Sequence, residues 1–311
     1  MNKLVITGGT SFIGRHLCRC FPENQWEIYA IVRPESQNKN VLVDQKNVHM
    51  IELDIANIDE VTDYIQTTDV FIHFAWEGVN RNDIDDELIH QQNVAYALKC
   101  AEAAITLGCK VFIDSGSRAE YGKNDSLMTE ELDCAPVTAY GKAKLEFYHR
   151  AETLFSEHSM TYYHLRIFSV YGIGDHPWSL ISTLTSKLYH GETVNLSACL
   201  HKWNFMHVKD AAYAIYLLTK RGMESTNTEH EIVNIAGSDN RVLYDFVHEI
   251  HRCVGGKGIL AFGNFQQGKE KALSVTADNS KMVSLLCGYT EKYSFEEGIK
   301  EIISFLSQNS T

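Results

Sequence analysis

Clusters of basic residues are missing from this sequence of 311 residues, which carries a formal net charge of −12 at pH 7. A protein whose main partner is a polyphosphate backbone normally presents a patch of Lys and Arg. We therefore expect no nucleic-acid partner. A small phosphorylated ligand is still compatible with this composition, because a helix N-terminus and a few Arg side chains are enough to hold one.

Long apolar runs are also missing, since no stretch reaches about 18 apolar residues, and the sequence therefore predicts no membrane span. The first residues lead directly into a strand and a glycine turn, rather than into the basic and apolar regions of a signal peptide. The 8 cysteines form no C-x-x-C pair and no Cys/His cluster with zinc spacing. We expect reduced and mostly packed thiols, no bound metal and a cytoplasmic location.

Proline is scarce, with 4 residues in the chain, and no low-complexity tract is present. No linker is expected, and the length suits one large domain or two closely joined ones. The first half alternates apolar β-rich runs with helical patterns. Strands are predicted at 3–7, 26–32, 48–54, 69–75, 110–115 and 161–168, and helices at 11–21, 58–66, 86–107 and 139–157.

This alternation predicts an α/β fold, namely a Rossmann-type doubly wound parallel sheet over residues 1–170. After about residue 170 the pattern loosens, which predicts a smaller C-terminal substrate-binding lobe over 171–311. Segments near 204–236 are expected to return to the main domain with a strand at 231–236. Further short strands are predicted in TVNLS and NFMHV, and further helices at 208–221, 243–254 and 295–308.

The segment TGGTSFIG, residues 7–14, joins the first strand to the first helix. A dinucleotide pyrophosphate at such a turn needs converging backbone N–H groups, a helix N-terminus and no Cβ where the phosphates approach. Gly8, Gly9 and Gly14 meet most of this need, whereas Ser11 stands where the dinucleotide fingerprint has a glycine. Its Cβ takes up room, but its hydroxyl can donate to a phosphate oxygen. The turn by itself fits a dinucleotide-binding domain and also a ligand-free turn.

The residues after the second strand bear on the choice of cofactor. An acid there binds the ribose 2′-hydroxyl of NAD, whereas an Arg suits the 2′-phosphate of NADP. Arg33 follows this strand directly, Ser36 is close by, and the nearest acid, Glu35, comes two residues later. We therefore favour NADP(H), with NAD(H) as the alternative. Asp54, at the end of the third strand, is a candidate to reach the adenine amino group.

A Tyr and a Lys four residues apart on a helix share one face. The ammonium is expected to lower the phenol pKa from ~10 towards working pH, so that the phenol can exchange a proton with a substrate. Tyr140 and Lys144 have this spacing, and so do Tyr216 and Lys220. Tyr140 opens the helix after the fifth strand, at the carboxyl edge of the sheet where ligands bind. The second pair lies in the looser half, on a helix that we expect to serve packing.

Ser115 and Ser117 follow the fifth strand at the same edge, and Ser117 precedes Tyr140 by 23 residues. A Ser hydroxyl, a Tyr and a Lys that meet over a nicotinamide would make a hydride-transfer site. We therefore predict Ser117, Tyr140 and Lys144 as the catalytic residues.

With these residues assigned, the sequence resembles the extended short-chain dehydrogenase/reductase family, of the nucleotide-sugar epimerase/dehydratase type. The likeness covers nearly the whole chain. It rests on TGGTSFIG, LDI at 53–55, HFAW at 73–76, QQNV around Asn93, SGSRAEYG at 115–122, YGKAK at 140–144, LRIFSVYG at 165–172, KWNFMHVKDAAYAI at 202–215 and the C-terminal DNSK…LCGYTEKYSFEEGI. In this family, loops with another residue at the Ser11 position still bind the cofactor.

The resemblance implies roles for matching positions: Ser117 hydrogen-bonds the reacting sugar oxygen, Tyr140 is the acid/base, and Lys144 holds the nicotinamide ribose and tunes Tyr140. Cofactor-binding positions are Gly8, Ser11, Phe12, Ile13, Gly14, Arg33, Asp54, Ile55, Phe74, Ala75, Asn93, Ser115, Tyr140, Lys144 and Phe168. Substrate-binding positions are Trp76, Ser117, Arg118, Ser169, Trp203 and Arg241. The implied partners are a nucleotide-diphosphate sugar and a second copy of the chain, in a homodimer formed through a four-helix bundle that includes the Tyr140 helix.

Two positions depart from the family pattern. Ser169 stands where many members have Asn, and Trp203 stands where many have Arg, which removes a cation from the nucleotide-diphosphate site. Arg241 is a candidate to replace that cation.

The likeness also bears on the reaction. The 4,6-dehydratases of the family carry Thr-Asp-Glu where this chain has Ser117, Arg118 and Ala119, and elimination of water across C5–C6 needs that acid/base pair. Glu120 comes one place too late, so we exclude a dehydratase.

Two enzymes then remain: an NADPH-dependent reductase of a nucleotide-activated 4-keto-6-deoxy sugar, and a 4-epimerase that keeps NAD bound. Arg33 favours the reductase. A non-catalytic NADP-sensing protein on the same fold is disfavoured, because such proteins tend to lose the Tyr/Lys pair that this chain keeps.

Overall fold

A computed structural model describes residues 1–263 and 274–309. The strands in this part are β1 (Asn2–Thr7), β2 (Trp26–Val32), β3 (Val48–Glu52), β4 (Val70–His73), β5 (Val111–Ser117), β6 (Leu127–Met128), β7 (Thr161–Ile167), β8 (Ser169–Tyr171), β9 (Thr193–Leu196), β10 (Lys202–His207), β11 (His230–Ile235), β12 (Asn240–Val242), β13 (Ile259–Phe262) and β14 (Thr276–Ala277).

The α-helices of the same part are α1 (Phe12–Cys18), α2 (Glu87–Thr106), α3 (Ala139–Ser156), α4 (Leu180–Tyr189), α5 (Val208–Glu224), α6 (Leu243–Cys253), α7 (Ser280–Leu285) and α8 (Phe295–Asn309). Short 3-10 helices cover Lys39–Leu42, Ile55–Asp63 and Arg118–Tyr121. None of these described helices combines the length and the apolar character needed to span a lipid bilayer.

The main sheet has seven strands in the order β11-β7-β5-β4-β1-β2-β3, and every neighbouring pair is parallel. Its strands are apolar on both faces because helices cover both: Ile6 and Ile72 belong to a core with α1 and α5, whereas Val5 and Phe71 belong to a core with α2 and α3. This is the predicted doubly wound α/β fold.

Side-chain hydrogen bonds cap the N-termini of α2 and α3, the two helices nearest to Tyr140. Asp86 accepts hydrogen bonds from the first-turn N–H groups of α2, and Gly108, with φ of +72°, ends that helix as predicted. Thr138 caps α3, because its hydroxyl accepts from the Gly141 N–H at 3.0 Å. Tyr140 therefore lies in the first turn of α3, directly at the carboxyl edge of the sheet.

The helix predicted at 58–66 begins earlier and is a 3-10 helix, Ile55–Asp63. The Asp54 carboxylate caps it by accepting from the Ala56 N–H at 2.9 Å, and a kink at Asn57 interrupts it. α4 was not predicted, because its Ser- and Thr-rich sequence has weak helical propensity.

The C-terminal half builds a second core from α4, α6 and α8 around β8, β9 and β10, with Phe205, Phe246 and Phe295 at its centre. β11 lies in the main sheet, next to β7. α5 packs on the same sheet, where Tyr216 lies 5.1 Å from Phe21 between ring centroids. Tyr216 and Lys220 therefore lie on a helix that packs against the main sheet, as expected from the sequence.

Candidate active site

The glycine turn closes tightly between β1 and α1. Gly8 has φ of +73°, and a Cβ at this position would lie 2.7 Å from the carbonyl carbon of Phe74. A Cβ on Gly14 would lie 2.1 Å from the carbonyl oxygen of Gly8. Both positions therefore need glycine if the turn is to lie against the segment after β4 and pack on itself.

Ser11 is the N-cap of α1, and its Oγ accepts from the Gly14 N–H at 3.2 Å. The hydroxyl hydrogen is not used in this bond, so it can still donate to a phosphate oxygen. The first-turn N–H groups of Phe12 and Ile13 lie at the same helix end, where helix geometry provides no carbonyl partner. These donors fit a dinucleotide pyrophosphate, and Ser11 adds to them as well as capping the helix.

Arg33 follows β2 and Asp54 follows β3, the two positions from which the sequence analysis expects contacts to a dinucleotide. Two thirds of the Arg33 side chain is solvent-exposed (66%), and its NH1 donates to the Glu77 carboxylate at 2.7 Å. One Asp54 oxygen is engaged in capping the helix that begins at Ile55. Glu77 was not singled out from the sequence, because it lies 44 positions from Arg33.

Asn93 of α2 holds the segment that follows β4. Its amide oxygen accepts from the Glu77 N–H at 3.1 Å, and its amide nitrogen donates to the Glu77 carbonyl at 3.0 Å. The Ala75 N–H donates to the Thr7 hydroxyl at 3.4 Å. The segment with Phe74, Ala75 and Trp76 is thus fixed beside the glycine turn.

Tyr140 lies against two aromatic rings from this region. Its ring centroid is 5.6 Å from that of His90 and 6.4 Å from that of Trp76. The Trp76 indole N–H donates to His90 Nδ1 at 3.3 Å, and the Tyr140 N–H donates to the carbonyl of Ile84 at 3.0 Å. The position of Tyr140 is therefore set by contacts with both α2 and the loop before it.

Lys144 is buried one turn further along α3. Its ammonium donates to the Ser115 carbonyl at 2.5 Å and to the Ser115 hydroxyl at 3.3 Å, and it lies 3.5 Å from the centroid of the Trp76 ring. Burial lowers the pKa of Lys144 to about 7, although the nearby carboxylates of Asp114 and Glu120 raise it in part. Lys144 therefore changes charge within the neutral range.

The expected lowering of the Tyr140 pKa is wrong for this structure. Burial raises the pKa of Tyr140 to about 12, and a hydrogen bond with Ser117 opposes this only in part. Burial is the main physical reason, and the Lys144 ammonium, which lies 5.8 Å from the Tyr140 ring centroid, is turned towards Ser115 and Trp76. In this arrangement the phenol keeps its proton at neutral pH.

Beneath Ser117 lies a set of charged side chains that the sequence analysis missed. Both carboxylate oxygens of Asp114 accept from His164 Nδ1 at 3.0 Å, and a Glu120 oxygen accepts from His164 Nε2 at 3.0 Å. The Arg166 Nε donates to the same Glu120 oxygen at 2.9 Å. We call Asp114, Glu120, His164 and Arg166 the buried network. The sequence did contain a signal for this network, because charged residues occur inside apolar strands. Buried charges of this kind are tolerated when they are paired.

Ser169, Arg118 and Trp203, three positions expected to bind substrate, lie close together. The Trp203 indole N–H donates to the Ser169 hydroxyl at 2.9 Å, and the Arg118 guanidinium carbon lies 5.3 Å from the centroid of the Trp203 ring. Burial lowers the pKa of Arg118, while the Tyr140 hydroxyl beside it opposes this effect. Within residues 1–263 and 274–309, no carboxylate lies at ion-pair distance from Arg118, so its charge is open to an anionic ligand.

Arg241, suggested from the sequence as a replacement for the missing cation, lies beside two carboxylates. It pairs with Trp203 across β10 and β12, but its guanidinium contacts Asp239 at 2.8 Å and Glu249 at 2.5 Å. Its guanidinium carbon also lies 4.1 Å from the centroid of the Phe246 ring. Two carboxylates already balance this charge.

Phe168 is buried at the carboxyl end of β7, where its N–H donates to the carbonyl of Ile235 at 3.0 Å. In the described part of the chain, no group of three or more His, Cys, Asp and Glu side chains is arranged to hold a metal ion.

A seven-stranded parallel sheet whose first strand leads through a glycine turn into a helix is the architecture of a dinucleotide-binding fold. The profile of the NAD dependent epimerase/dehydratase family matches residues 4–236. The chain belongs to this family, which confirms the resemblance seen in the sequence and makes the protein an enzyme.

Individual relatives are distant. A CDP-abequose synthase of Salmonella muenchen is 23% identical over 304 residues, which cover 97% of this chain and 97% of that protein. A UDP-glucose 4-epimerase of Corynebacterium glutamicum is 24% identical over 173 residues, which cover 55% of this chain and 52% of that protein.

Solved structures share the fold. A UDP-glucuronic acid 4-epimerase from Bacillus cereus in complex with NAD superposes with a TM-score of 0.84 and 21% identity, covering 98% of this chain and 97% of that one. A UDP-glucose 4-epimerase from Thermotoga maritima with UDP-glucose gives a TM-score of 0.85 and 22% identity, covering 99% of this chain and 100% of that one. The predicted Rossmann-type architecture is thereby confirmed.

Proposed function

We propose that the protein is an NADPH-dependent reductase of a nucleotide-activated 4-keto-6-deoxy sugar. The observation that carries this proposal is the grouping of Ser117, Tyr140 and Lys144 beside the glycine turn, with Tyr140 protonated. The reduced nicotinamide, when bound, supplies the hydride that the C4 carbonyl carbon takes up. The Tyr140 phenol gives its proton to the carbonyl oxygen, and the Ser117 hydroxyl donates a hydrogen bond to the same oxygen.

A protonated Tyr140 fits the proposed reduction, in which the phenol has to supply a proton. With its pKa raised to about 12 by burial, the phenol holds a proton across the neutral range and can act as an acid. An epimerase must first oxidise its sugar, which needs the phenolate as a base.

A 4-epimerase with bound NAD is the second candidate, and Glu77 is the observation that favours it. The Glu77 carboxylate, 2.7 Å from Arg33, brings a negative charge to the place where the 2′-phosphate of NADP would lie. The similar epimerase structure from Bacillus cereus contains NAD.

Identification of the nucleotide released from the denatured, purified protein separates the two candidates. The reductase predicts an empty site that binds NADPH more tightly than NADH, and NADPH consumption with a 4-keto-6-deoxy nucleotide sugar. Stoichiometric release of NAD⁺ or NADH would overturn this proposal in favour of the epimerase.

Arg33→Ala is expected to raise the Kd of NADPH by about tenfold and to leave that of NADH unchanged, because one charged hydrogen bond to the 2′-phosphate is lost. Fluorescence titration with both cofactors measures the ratio. Arg19→Ala is the matched control, since Arg19 also forms an exposed pair, with Asp44 at 3.0 Å. Equal losses for NADPH and NADH would show that Arg33 does not select the cofactor.

Arg118→Gln is expected to raise KM for the nucleotide sugar by about tenfold, because a cation without a carboxylate partner is removed from the substrate side. The Kd of NADPH should stay the same. Steady-state kinetics and cofactor titration give the two values, with Arg150→Gln, an exposed Arg on α3 paired with Glu146 at 3.2 Å, as control. An unchanged KM in the Arg118 variant would remove Arg118 from the substrate site.

A further inference from the structure

The buried network lies directly beneath Ser117, and the reaction proposed above makes no use of it. Its side chains are only 0–3% solvent-exposed. Removal of a charge from water is costly unless the charge is paired and its hydrogen bonds are satisfied. Here each carboxylate has a cationic or hydrogen-bonding partner within the network, so the cluster is a complete unit.

The network is attached to the main chain of Ser117. One Glu120 oxygen accepts from the Ser117 N–H at 2.6 Å, while the other contacts His164 and Arg166. The Ser117 hydroxyl in turn accepts from the Ala119 N–H at 3.2 Å. Any change in the orientation of Glu120 therefore moves the end of β5, where Ser117 lies.

The space around this attachment is filled. A Cβ on Gly116 would lie 2.4 Å from His164 Nε2 and 2.9 Å from a Glu120 oxygen. Glycine at position 116 is thus needed for His164 and Glu120 to meet, and the packing leaves no room for a side chain at this position.

The network also acts on the two proton-carrying groups through space. Asp114 and Glu120 raise the pKa of Lys144, and Glu120 raises that of Tyr140. Burial by itself would lower the pKa of His164, but Asp114 and Glu120 raise it to about 9. At neutral pH His164 is therefore a cation beside the carboxyl groups of Asp114 and Glu120, with Arg166 as the second cation of the network.

Two histidines near Lys144, His73 and His90, carry no charge in the neutral range. Burial lowers the pKa of His73 to about 3, and burial also lowers that of His90. Tyr148 and Tyr162 face His164, and burial raises the pKa of each phenol.

One cation outside the network, Arg118, lies near Tyr140 and lowers its pKa. The variants below leave it unchanged, so its effect is constant among them.

We propose that the buried network is a positioning device for the site: it fixes Ser117, and its net charge sets the protonation of Tyr140 and Lys144. This inference rests on the proposed function insofar as the two proton-carrying groups serve catalysis. In this proposal the network contacts neither substrate nor cofactor. It acts through its hydrogen bond to Ser117 and through the electrostatic field of its charges.

Two single variants should shift the pH profile of kcat in opposite directions. His164→Gln leaves one uncompensated negative charge, which retains the protons of Tyr140 and Lys144, so the basic limb moves up by about one pH unit. Glu120→Gln leaves one uncompensated positive charge and moves the same limb down by about one pH unit. Structural damage alone would lower kcat in both variants without opposite shifts.

The double variant Glu120→Gln/His164→Gln restores charge balance and should return the basic limb to within a few tenths of a pH unit of the unmodified enzyme. Glu229→Gln is the matched control: Glu229 accepts from the Tyr163 hydroxyl at 2.6 Å and pairs with Arg221 at 2.9 Å beside the same strand, away from Ser117. This variant should leave the pH profile unchanged. Shifts of one sign in both single variants would overturn the proposal.

A measurement on the unmodified protein keeps the proposal testable if the variants do not fold or no sugar is turned over. At pH 8, nitrogen-15 NMR should show the His164 imidazole with both ring nitrogens protonated, because Asp114 and Glu120 raise its pKa to about 9. Absence of any imidazolium at pH 8 would contradict the network charge state, whatever the reaction is. Failure of turnover with the imidazolium present would instead count against the proposed function alone.

Discussion

Tyr140→Phe is expected to lower kcat by about 10²–10⁴-fold, because the phenol is the acid that protonates the carbonyl oxygen, whereas Ser117 only donates a hydrogen bond to that oxygen. The ring packing against His90 and Trp76 stays in place, so substrate and cofactor affinities should change little. The steady-state rate of NADPH oxidation, measured with a nucleotide sugar that the unmodified enzyme reduces, gives kcat. Thermal unfolding checks that the variant is folded.

The chain supplies its own control for this variant. Tyr216 has the same spacing to a lysine, Lys220, but packs on the far side of the sheet against Phe21. Tyr216→Phe should retain full kcat. If Tyr140→Phe kept more than a tenth of the activity, Tyr140 would not be the proton donor.

Gly14→Ala is expected to raise the Kd of the dinucleotide by about 10- to 100-fold. The added Cβ would lie 2.1 Å from the Gly8 carbonyl oxygen, so the turn has to open and its N–H groups lose their common direction. Such overpacking costs about 1–3 kcal/mol, which converts to this loss of affinity if it falls on the bound state. Calorimetric titration with NADPH and NADH measures it.

Gly108→Ala separates this effect from general destabilisation. Gly108 ends α2 with φ of +72°, and a Cβ there would meet nothing within 4 Å. The substitution should cost stability of about 1 kcal/mol through backbone strain and leave the dinucleotide Kd unchanged. Equal Kd values for both variants would mean that the glycine turn does not hold the cofactor.

The elements that the sequence predicted well are those with strong local signals. β2 covers Trp26–Val32 as expected from its apolar run, and α3 covers Ala139–Ser156 within one residue of the prediction. Both have clear limits in sequence: turn residues around the strand, and Thr138 as the helix cap. The placement of Tyr140 and Lys144 on one helix followed directly.

What the sequence did not reveal depends on contacts between distant positions. Arg33 has Glu77 as its partner, and His164 lies between two carboxylates that come 44 and 50 residues earlier. The pKa of Tyr140 was predicted wrongly for a related reason. Helical spacing places Lys144 on the same helix face as Tyr140, but it does not say in which direction the Lys144 ammonium points. Burial, which depends on the whole fold, decided the sign.

The buried network also has a consequence for the order in which the sheet assembles. Asp114 and Glu120 come from β5 and the turn after it, whereas His164 and Arg166 come from β7, its neighbour in the sheet. Burial of the two carboxylates before β7 has docked would leave them without counter-charges in the core. We therefore expect β5 and β7 to form as one cooperative step, so that the nascent chain completes its catalytic edge only after the segment up to Ile167 has left the ribosome.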